Sequence, residues 1–365
     1  MSKPEYTPGM SIEDLPPELR QKQPVKLASN ENPLGPSPKA MAAIQEAIAT
    51  IHLYPSRQLE GHLRQAIADY WGQGLTADHI ILGNGGLDVL EFAARHYLAE
   101  PMAECLHPRI TFPFLARYCG RANRQLRFYE LDPDTFAYVP EAILTAVGPH
   151  TALVYVCNPN NPTGTYMTAA QLSYLLANLP NDVLLIHDAA YYHFHKAADY
   201  PHALEMVLAG ANILVTHTFS KIYGMAGLRL GYGIARPDII AQLTNLQRAF
   251  HVNSLTLLAG LAALQDEAHL QQTVVNNANG RIWLSQQLQG LGCHVWPSQA
   301  NFLLFAPEQM PATVIVEKLL QEAIIVRPAF GLDNHIRLSI GTTQQNTRVI
   351  DALHRILSGT LSHSW

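Results

Sequence analysis

The residue types that could do chemistry in this chain gather around Lys221. The stretch Thr216-His-Thr-Phe-Ser-Lys-Ile-Tyr-Gly-Met-Ala-Gly-Leu-Arg-Leu-Gly-Tyr232 follows Ile213-Leu-Val215, an apolar, β-branched run that reads as a buried strand. A strand running out into Thr218, Ser220 and Lys221 sets two hydroxyls and an amine at its carboxyl end. Arg229 follows, and Gly224, Gly227 and Gly231 let the backbone pass close to a ligand. A lone loop lysine is ordinarily a solvated charge. Held between hydroxyls, glycines and an arginine, it reads as a nucleophilic amine beside an anion site.

The elements that position such a site repeat along the chain. His79-Ile-Ile-Leu82 is a short strand that breaks at Gly83-Asn-Gly-Gly86, and the helical period resumes from Leu87 to about Tyr97. Ala103 to His107 reads as another strand. Ala152-Leu-Val-Tyr-Val-Cys157 ends at Asn158-Pro-Asn-Asn-Pro-Thr-Gly164, and Asp182-Val-Leu-Leu-Ile-His187 ends at Asp188. Strand, polar end, helix, strand is the pattern of an α/β domain with a mostly parallel sheet, whose ligands sit at the strands' carboxyl ends. The residues standing there meet the demands of pyridoxal phosphate. Lys221 is the amine for the Schiff base, and Asp188 is the carboxylate for the pyridine nitrogen. Asn161 and Tyr191 are donors for the phenolic oxygen. Gly85, Gly86 and Leu87 at a helix start offer backbone N–H groups to the phosphate, with Thr218, Ser220 and Arg229 completing the cup. Phe112, in Pro108-Arg-Ile-Thr-Phe-Pro113, is the ring platform. Each also has a plainer reading: Asp188 as a helix cap, Phe112 as core, Tyr54 as packing, and Arg327 and Arg337 as surface ion pairs.

In order along nearly the whole chain stand Asn30-Glu-Asn-Pro-Leu-Gly-Pro-Ser-Pro38, Tyr54-Pro55, Gly83-Asn-Gly-Gly86, Asn158-Pro-Asn-Asn-Pro-Thr-Gly164, Asp188 with Tyr191, Ser220-Lys221 with Arg229, Asn301-Phe302, and Arg327-Pro with Arg337 before Gly341-Thr342. With these motifs the chain resembles the fold-type I aminotransferases of the aspartate aminotransferase superfamily, and the histidinol-phosphate aminotransferases within it. The resemblance implies that Lys221 carries the cofactor and moves the proton during transamination, and that Arg337 binds the substrate's anionic group. Arg327 suits a doubly charged phosphate. By the same resemblance Tyr54 reaches the partner subunit's cofactor phosphate in a homodimer with shared active sites, and Tyr6 and Asn32, from the amino-terminal motifs, touch substrate. Three positions depart from the family pattern: Ala189 replaces a glutamate, Gly86 a serine, and Leu87 an acidic residue. The expected reaction is amino transfer from L-histidinol phosphate to 2-oxoglutarate. The alternatives are transamination of aromatic amino acids and decarboxylation of threonine phosphate. A regulator built on an aminotransferase-like domain is disfavoured by the acidic charge and the lack of a helix-turn-helix segment.

The expected organisation is an arm with little regular structure over residues 1–35, a large pyridoxal-phosphate domain over 36–250 with a seven-stranded type of sheet, and a small α+β domain over 251–365. In the last, Leu255 to Leu291 reads as one long helical pattern. The formal net charge of −5 argues against nucleic acid or an anionic membrane as partner. No apolar run approaches a membrane span, and the amino terminus has no apolar core of a secretory signal. Four scattered cysteines without a CxxC pair suggest reduced thiols in a cytoplasmic enzyme. His187, His193 and His195 match no zinc spacing, so no metal is expected.

Overall fold

The computed structural model describes residues 9–358, so Tyr6 lies outside the described residues. Seven strands form the main sheet, in the order Ile80–Gly83, Gly231–Ile234, Ile213–Thr218, Leu184–Asp188, Thr151–Cys157, Glu104–Pro108 and Gln125–Tyr129. Successive side chains alternate between two apolar layers. Val154, Val156, Ile213 and Val215 join one buried cluster, while Leu153, Tyr155, Ile186 and Leu214 join the other. Helices cover both faces, so every residue of Leu184–Asp188 is buried, and this is why such strands read as unbroken apolar runs.

Six strands point the same way. Gly231–Ile234 runs antiparallel to both its neighbours, and its start therefore lies at the rim where the other strands end. That reversal brings Arg229 to the same rim as Lys221. The periodicity missed this strand because two of its four residues are glycine, and packing requires one of them: a Cβ on Gly233 would sit 2.7 Å from Val89 Cγ1. It also missed Gln125–Tyr129, an edge strand with only Tyr129 buried.

A second sheet, in the order Arg327–Pro328, Ile336–Ser339, Phe302–Pro307 and Cys293–Val295, is antiparallel throughout. It packs its own apolar cluster, including Leu303, Leu338 and Val349. The expected single helix over Leu255 to Leu291 is two helices, Ser254–Leu264 and Glu267–Gly290. Asp266 separates them: one carboxylate oxygen caps the second helix at His269 N, and the other accepts from Ser37 Oγ at 2.6 Å. A capping carboxylate satisfies the free amides of a new helix start, and it stands here where apolar periodicity alone sees continuity.

The amino-terminal segment carries more structure than its composition suggests. It holds a helical turn, Pro17–Arg20, and a short strand, Val25–Lys26, paired in parallel with Ile324–Ile325. Ser339 N donates to Leu27 O at 3.0 Å, and Asn30 N donates to Ser339 Oγ at 2.9 Å. These bonds fix Ser29, Asn30 and Glu31 at the sheet rim. No helix among the described residues is long and apolar enough to cross a membrane.

Candidate active site

The rim holds a cavity of about 300 Å3 lined by Gly86, Leu87, Phe112, Asn161, Asp188, Tyr191, Thr218, Ser220, Lys221, Arg229, Arg327 and Arg337. One wall is built for an anion. The helix Gly86–Tyr97 starts there, with Gly85 as its N-cap at φ 80°. A Cβ on Gly85 would meet Arg229 Nη2 at 2.2 Å, and one on Gly231 would stand 2.2 Å from Gly86 N. Glycine at both places lets two backbones and a guanidinium close around the helix's first N–H groups, where the dipole is positive. Arg229 Nη1 donates to Ser220 Oγ at 3.3 Å and to Ala226 O at 3.0 Å. Ser220 N donates to Thr218 Oγ1 at 3.1 Å. The side chain of Leu87 packs into the apolar layer behind the helix, so its offering to the cup is its amide alone.

The middle of the cavity holds a carboxylate, an amine and a phenol. Asp188 ends its strand 8% exposed. Its Oδ2 accepts from the Tyr155 hydroxyl at 2.7 Å, and its Oδ1 accepts from Thr216 Oγ1 at 3.2 Å and Ala190 N at 3.3 Å. Burial pushes the carboxyl above its ordinary pKa, and the three donors and the charge of Lys221 pull against that rise. Lys221 Nζ donates to Ser29 O at 3.0 Å. Desolvation first, and the positive charge of Arg337 second, lower its pKa from 10.5 to about 8. The Tyr191 hydroxyl accepts from Asn161 Nδ2 at 3.2 Å and from Asn30 Nδ2 at 3.1 Å. With both bonds arriving at its oxygen, the phenolic proton is left to donate.

Arg327 and Arg337 are direct partners across adjacent antiparallel strands. Arg337 is 3% exposed; its Nη1 donates to Asn161 Oδ1 at 2.7 Å and its Nη2 to Ala28 O. The Phe330 ring lies 5.6 Å from the Arg327 guanidinium and 5.9 Å from that of Arg337. Two cations on one wall of the cavity form an anion site distinct from the glycine cup.

Gly85 shapes the cup from just behind its lining, and two expected residues, Tyr54 and Asn32, stay away from the cavity. Tyr54 is 81% exposed and stacks on Phe250 at 4.8 Å, within an exposed apolar strip that includes Ile48, Ile51 and Leu53. Asn32 turns away: its Nδ2 donates to Ile222 O and Thr273 Oγ1, and its Oδ1 accepts from Leu34 N. Its neighbour Asn30 stands in the cavity instead. Sequence reasoning assigned no site role to Asn30, Ser29 or Tyr155. The motif Asn30-Glu-Asn32 marked the region, but which asparagine points inward depends on the bond to Ser339. His193 and His217 pack among Trp71, Tyr192 and Tyr232, and His187 stands against Tyr200. Burial lowers His187 and His193 to about 4, so they are neutral packing groups. Among the described residues no cluster of three His, Cys, Asp or Glu side chains could hold a metal ion.

Pyridoxal phosphate fits this donor set. A buried carboxylate with a raised pKa calls for a cationic partner in the cavity, and a pyridinium N–H supplies one. The cup closed by Gly85, Gly231 and Arg229 is an anion cradle that a single Cβ would fill. Between them stand a half-buried amine of lowered pKa and two donors, Asn161 and Tyr191.

Comparison with known proteins agrees with that reading. Residues 22–353 match the family model for aminotransferase class I and II. The chain is 41% identical to a histidinol-phosphate aminotransferase of Moorella thermoacetica over 97% of its length and 90% of the relative's. It is 40% identical to histidinol-phosphate aminotransferase 1 of Nitrosococcus oceani, covering 96% and 94%. Among solved structures, histidinol-phosphate aminotransferase from Sinorhizobium meliloti in complex with pyridoxal-5'-phosphate superposes with a TM-score of 0.85 at 25% identity, covering 96% of this chain and 95% of that one. With the motifs, the sheet order and the cavity in agreement, this chain belongs to the class I and II aminotransferases.

Proposed function

We propose that this enzyme transfers the amino group of L-histidinol phosphate to 2-oxoglutarate. The observation that carries the substrate choice is the pairing of Arg327 with Arg337 on one cavity wall. A phosphate dianion takes two guanidinium groups well, each offering parallel N–H donors, whereas a carboxylate needs only one. The names of the relatives support the same choice.

In this reading Arg229, Ser220, Thr218 and the amides of Gly86 and Leu87 hold the cofactor phosphate, and Asp188 holds the ring nitrogen. Asn161 and Tyr191 would donate to the cofactor's phenolic oxygen, and Phe112 would support its ring. The cofactor, when bound, carries the substrate's amine and draws electrons from the bonds at the carbon bearing it. The chain's own residues do the rest. Arg327 and Arg337 seize the anionic end and fix the orientation of that carbon. Lys221 Nζ takes the proton from it and later returns one, and an amine of pKa about 8 suits both halves of that task near neutral pH. Ser29 O, 3.0 Å from Nζ, keeps the amine aimed.

The exposed strip of Ile48, Ile51, Leu53, Tyr54 and Phe250 supports assembly as a homodimer in which Tyr54 reaches the neighbouring subunit's cofactor phosphate, since apolar surface of this kind marks interfaces. Four free, buried cysteines favour a reducing, cytoplasmic setting. The large domain over 36–250 and the small one over 251–365 supply the two anion sites separately. The test of the function is glutamate formation from L-histidinol phosphate and 2-oxoglutarate. Activity with phenylalanine or tyrosine but not with histidinol phosphate would refute the substrate, and carbon dioxide release from threonine phosphate without glutamate would refute the reaction.

A further inference from the structure

We propose that Tyr155 is a positioning residue for the reaction, holding Asp188 as a full carboxylate so that the proton of the pyridine nitrogen stays on the ring. The inference rests on the cofactor reading above. Tyr155 is fully buried in the middle of the sheet, on the strand next to that of Asp188. Its hydroxyl donates to Asp188 Oδ2 at 2.7 Å. His107 stacks on its ring at 5.1 Å with the planes 12° apart, and its own carbonyl accepts from the Tyr129 hydroxyl at 2.8 Å. The His107 stack holds the plane of the ring, and its phenol points at one oxygen of one carboxylate.

The consequence follows from where a shared proton sits. A buried carboxylate facing a pyridinium forms either an ion pair or, if the carboxylate is the stronger base, a neutral pair. Only the ion pair keeps a positive charge on the ring to accept electrons. Donors to the carboxylate lower its basicity. Thr216 and Ala190 N serve Oδ1 at 3.2 and 3.3 Å, and Tyr155 serves Oδ2 at the shorter 2.7 Å. Tyr155 is therefore the strongest of the three, and the burial that raises Asp188 makes its contribution necessary.

The test is Tyr155→Phe in the holoenzyme, with Tyr129→Phe as control. The control also removes a buried hydroxyl, from the same core, but one bonded to a backbone carbonyl. In Tyr155→Phe the pH midpoint of the bound cofactor's visible absorption is expected to move up by about one unit, because a less cationic ring no longer depresses it. Cofactor affinity is expected to fall roughly tenfold, the scale of one charge-assisted bond, with kcat reduced and the KM for amino donor unchanged. Tyr129→Phe is expected to leave all of these at wild-type values. If Tyr155→Phe keeps the wild-type midpoint and cofactor affinity, and both variants change only thermal stability, Tyr155 is core and the proposal fails. Should Tyr155→Phe not fold, site-specific replacement of Tyr155 by 3-fluorotyrosine keeps the ring and makes its hydroxyl a stronger donor to Asp188 Oδ2; the midpoint is then expected to move down, and an unmoved midpoint overturns the proposal equally. A wild-type protein that takes up no pyridoxal phosphate would overturn the cofactor reading and the inference together, whereas a coloured variant with an unmoved midpoint sinks the inference alone.

Discussion

The lowered pKa of Lys221 has a measurable consequence in the cofactor-free protein. Its amine is enclosed at the sheet rim and faces Arg337, and together these effects bring it from 10.5 to about 8. Both act against the charged form, so the neutral amine accumulates as pH rises through about 8 rather than through the ordinary lysine range. At pH 7.5 roughly a quarter of such an amine is unprotonated, against about one in a thousand for an ordinary lysine, so it should react roughly two hundred times faster at equal intrinsic nucleophilicity. Competition labelling with a small neutral acylating reagent, read residue by residue by mass spectrometry, measures this directly. Labelling of Lys221 should climb tenfold per pH unit up to about pH 8 and then level, while exposed lysines go on climbing. Arg337→Gln removes the second contribution and should move the plateau to higher pH. A Lys221 profile that still rises tenfold per unit beyond pH 9, in step with the exposed lysines, would refute the reasoning.

Further outcomes follow from single contacts. Lys221→Ala should abolish transamination in a steady-state glutamate assay while the protein still retains cofactor through its phosphate cup and Asp188, as equilibrium dialysis would show. Arg337→Gln and Arg327→Gln should each raise the KM for L-histidinol phosphate about 10- to 100-fold, the scale of one lost charge-assisted contact, and steady-state kinetics decides whether they do. Gly231→Ala drives a methyl group into Gly86 N, so it should cost about 1–3 kcal/mol or more of stability and weaken cofactor binding, readable by thermal unfolding with and without pyridoxal phosphate. Tyr54→Ala should leave the stability of the subunit within about 0.5 kcal/mol, since Tyr54 is 81% exposed, yet weaken cofactor retention; unchanged retention would remove the shared-site arrangement.

Much of the site was legible because its residues stand at the ends of apolar runs. Asp188 closes a strand that is buried throughout, and a carboxylate there is conspicuous in the sequence. Lys221 is marked in the same way by Ile213–Val215 before it, and the glycines around Gly85 mark the cup. What stayed hidden depends on contacts between distant segments. Asn30 rather than Asn32 enters the cavity because Ser339, far along the chain, holds it there. Tyr155 looked like core because an apolar strand accommodates a tyrosine without revealing where its hydroxyl points. Gly231–Ile234 carries too few side chains to show a period of two. The break at Asp266 was missed because a cap inside an apolar pattern looks like any other polar residue on a helix. Local pattern records burial, while partners across the chain decide direction.

The most direct test of the central claim is a substrate panel with 2-oxoglutarate, scoring glutamate and carbon dioxide from L-histidinol phosphate, phenylalanine, tyrosine and threonine phosphate. The arginine pair predicts glutamate from L-histidinol phosphate with the highest kcat/KM of the four, and no carbon dioxide. Preferred turnover of an amino acid lacking phosphate, or release of carbon dioxide from threonine phosphate, would contradict it.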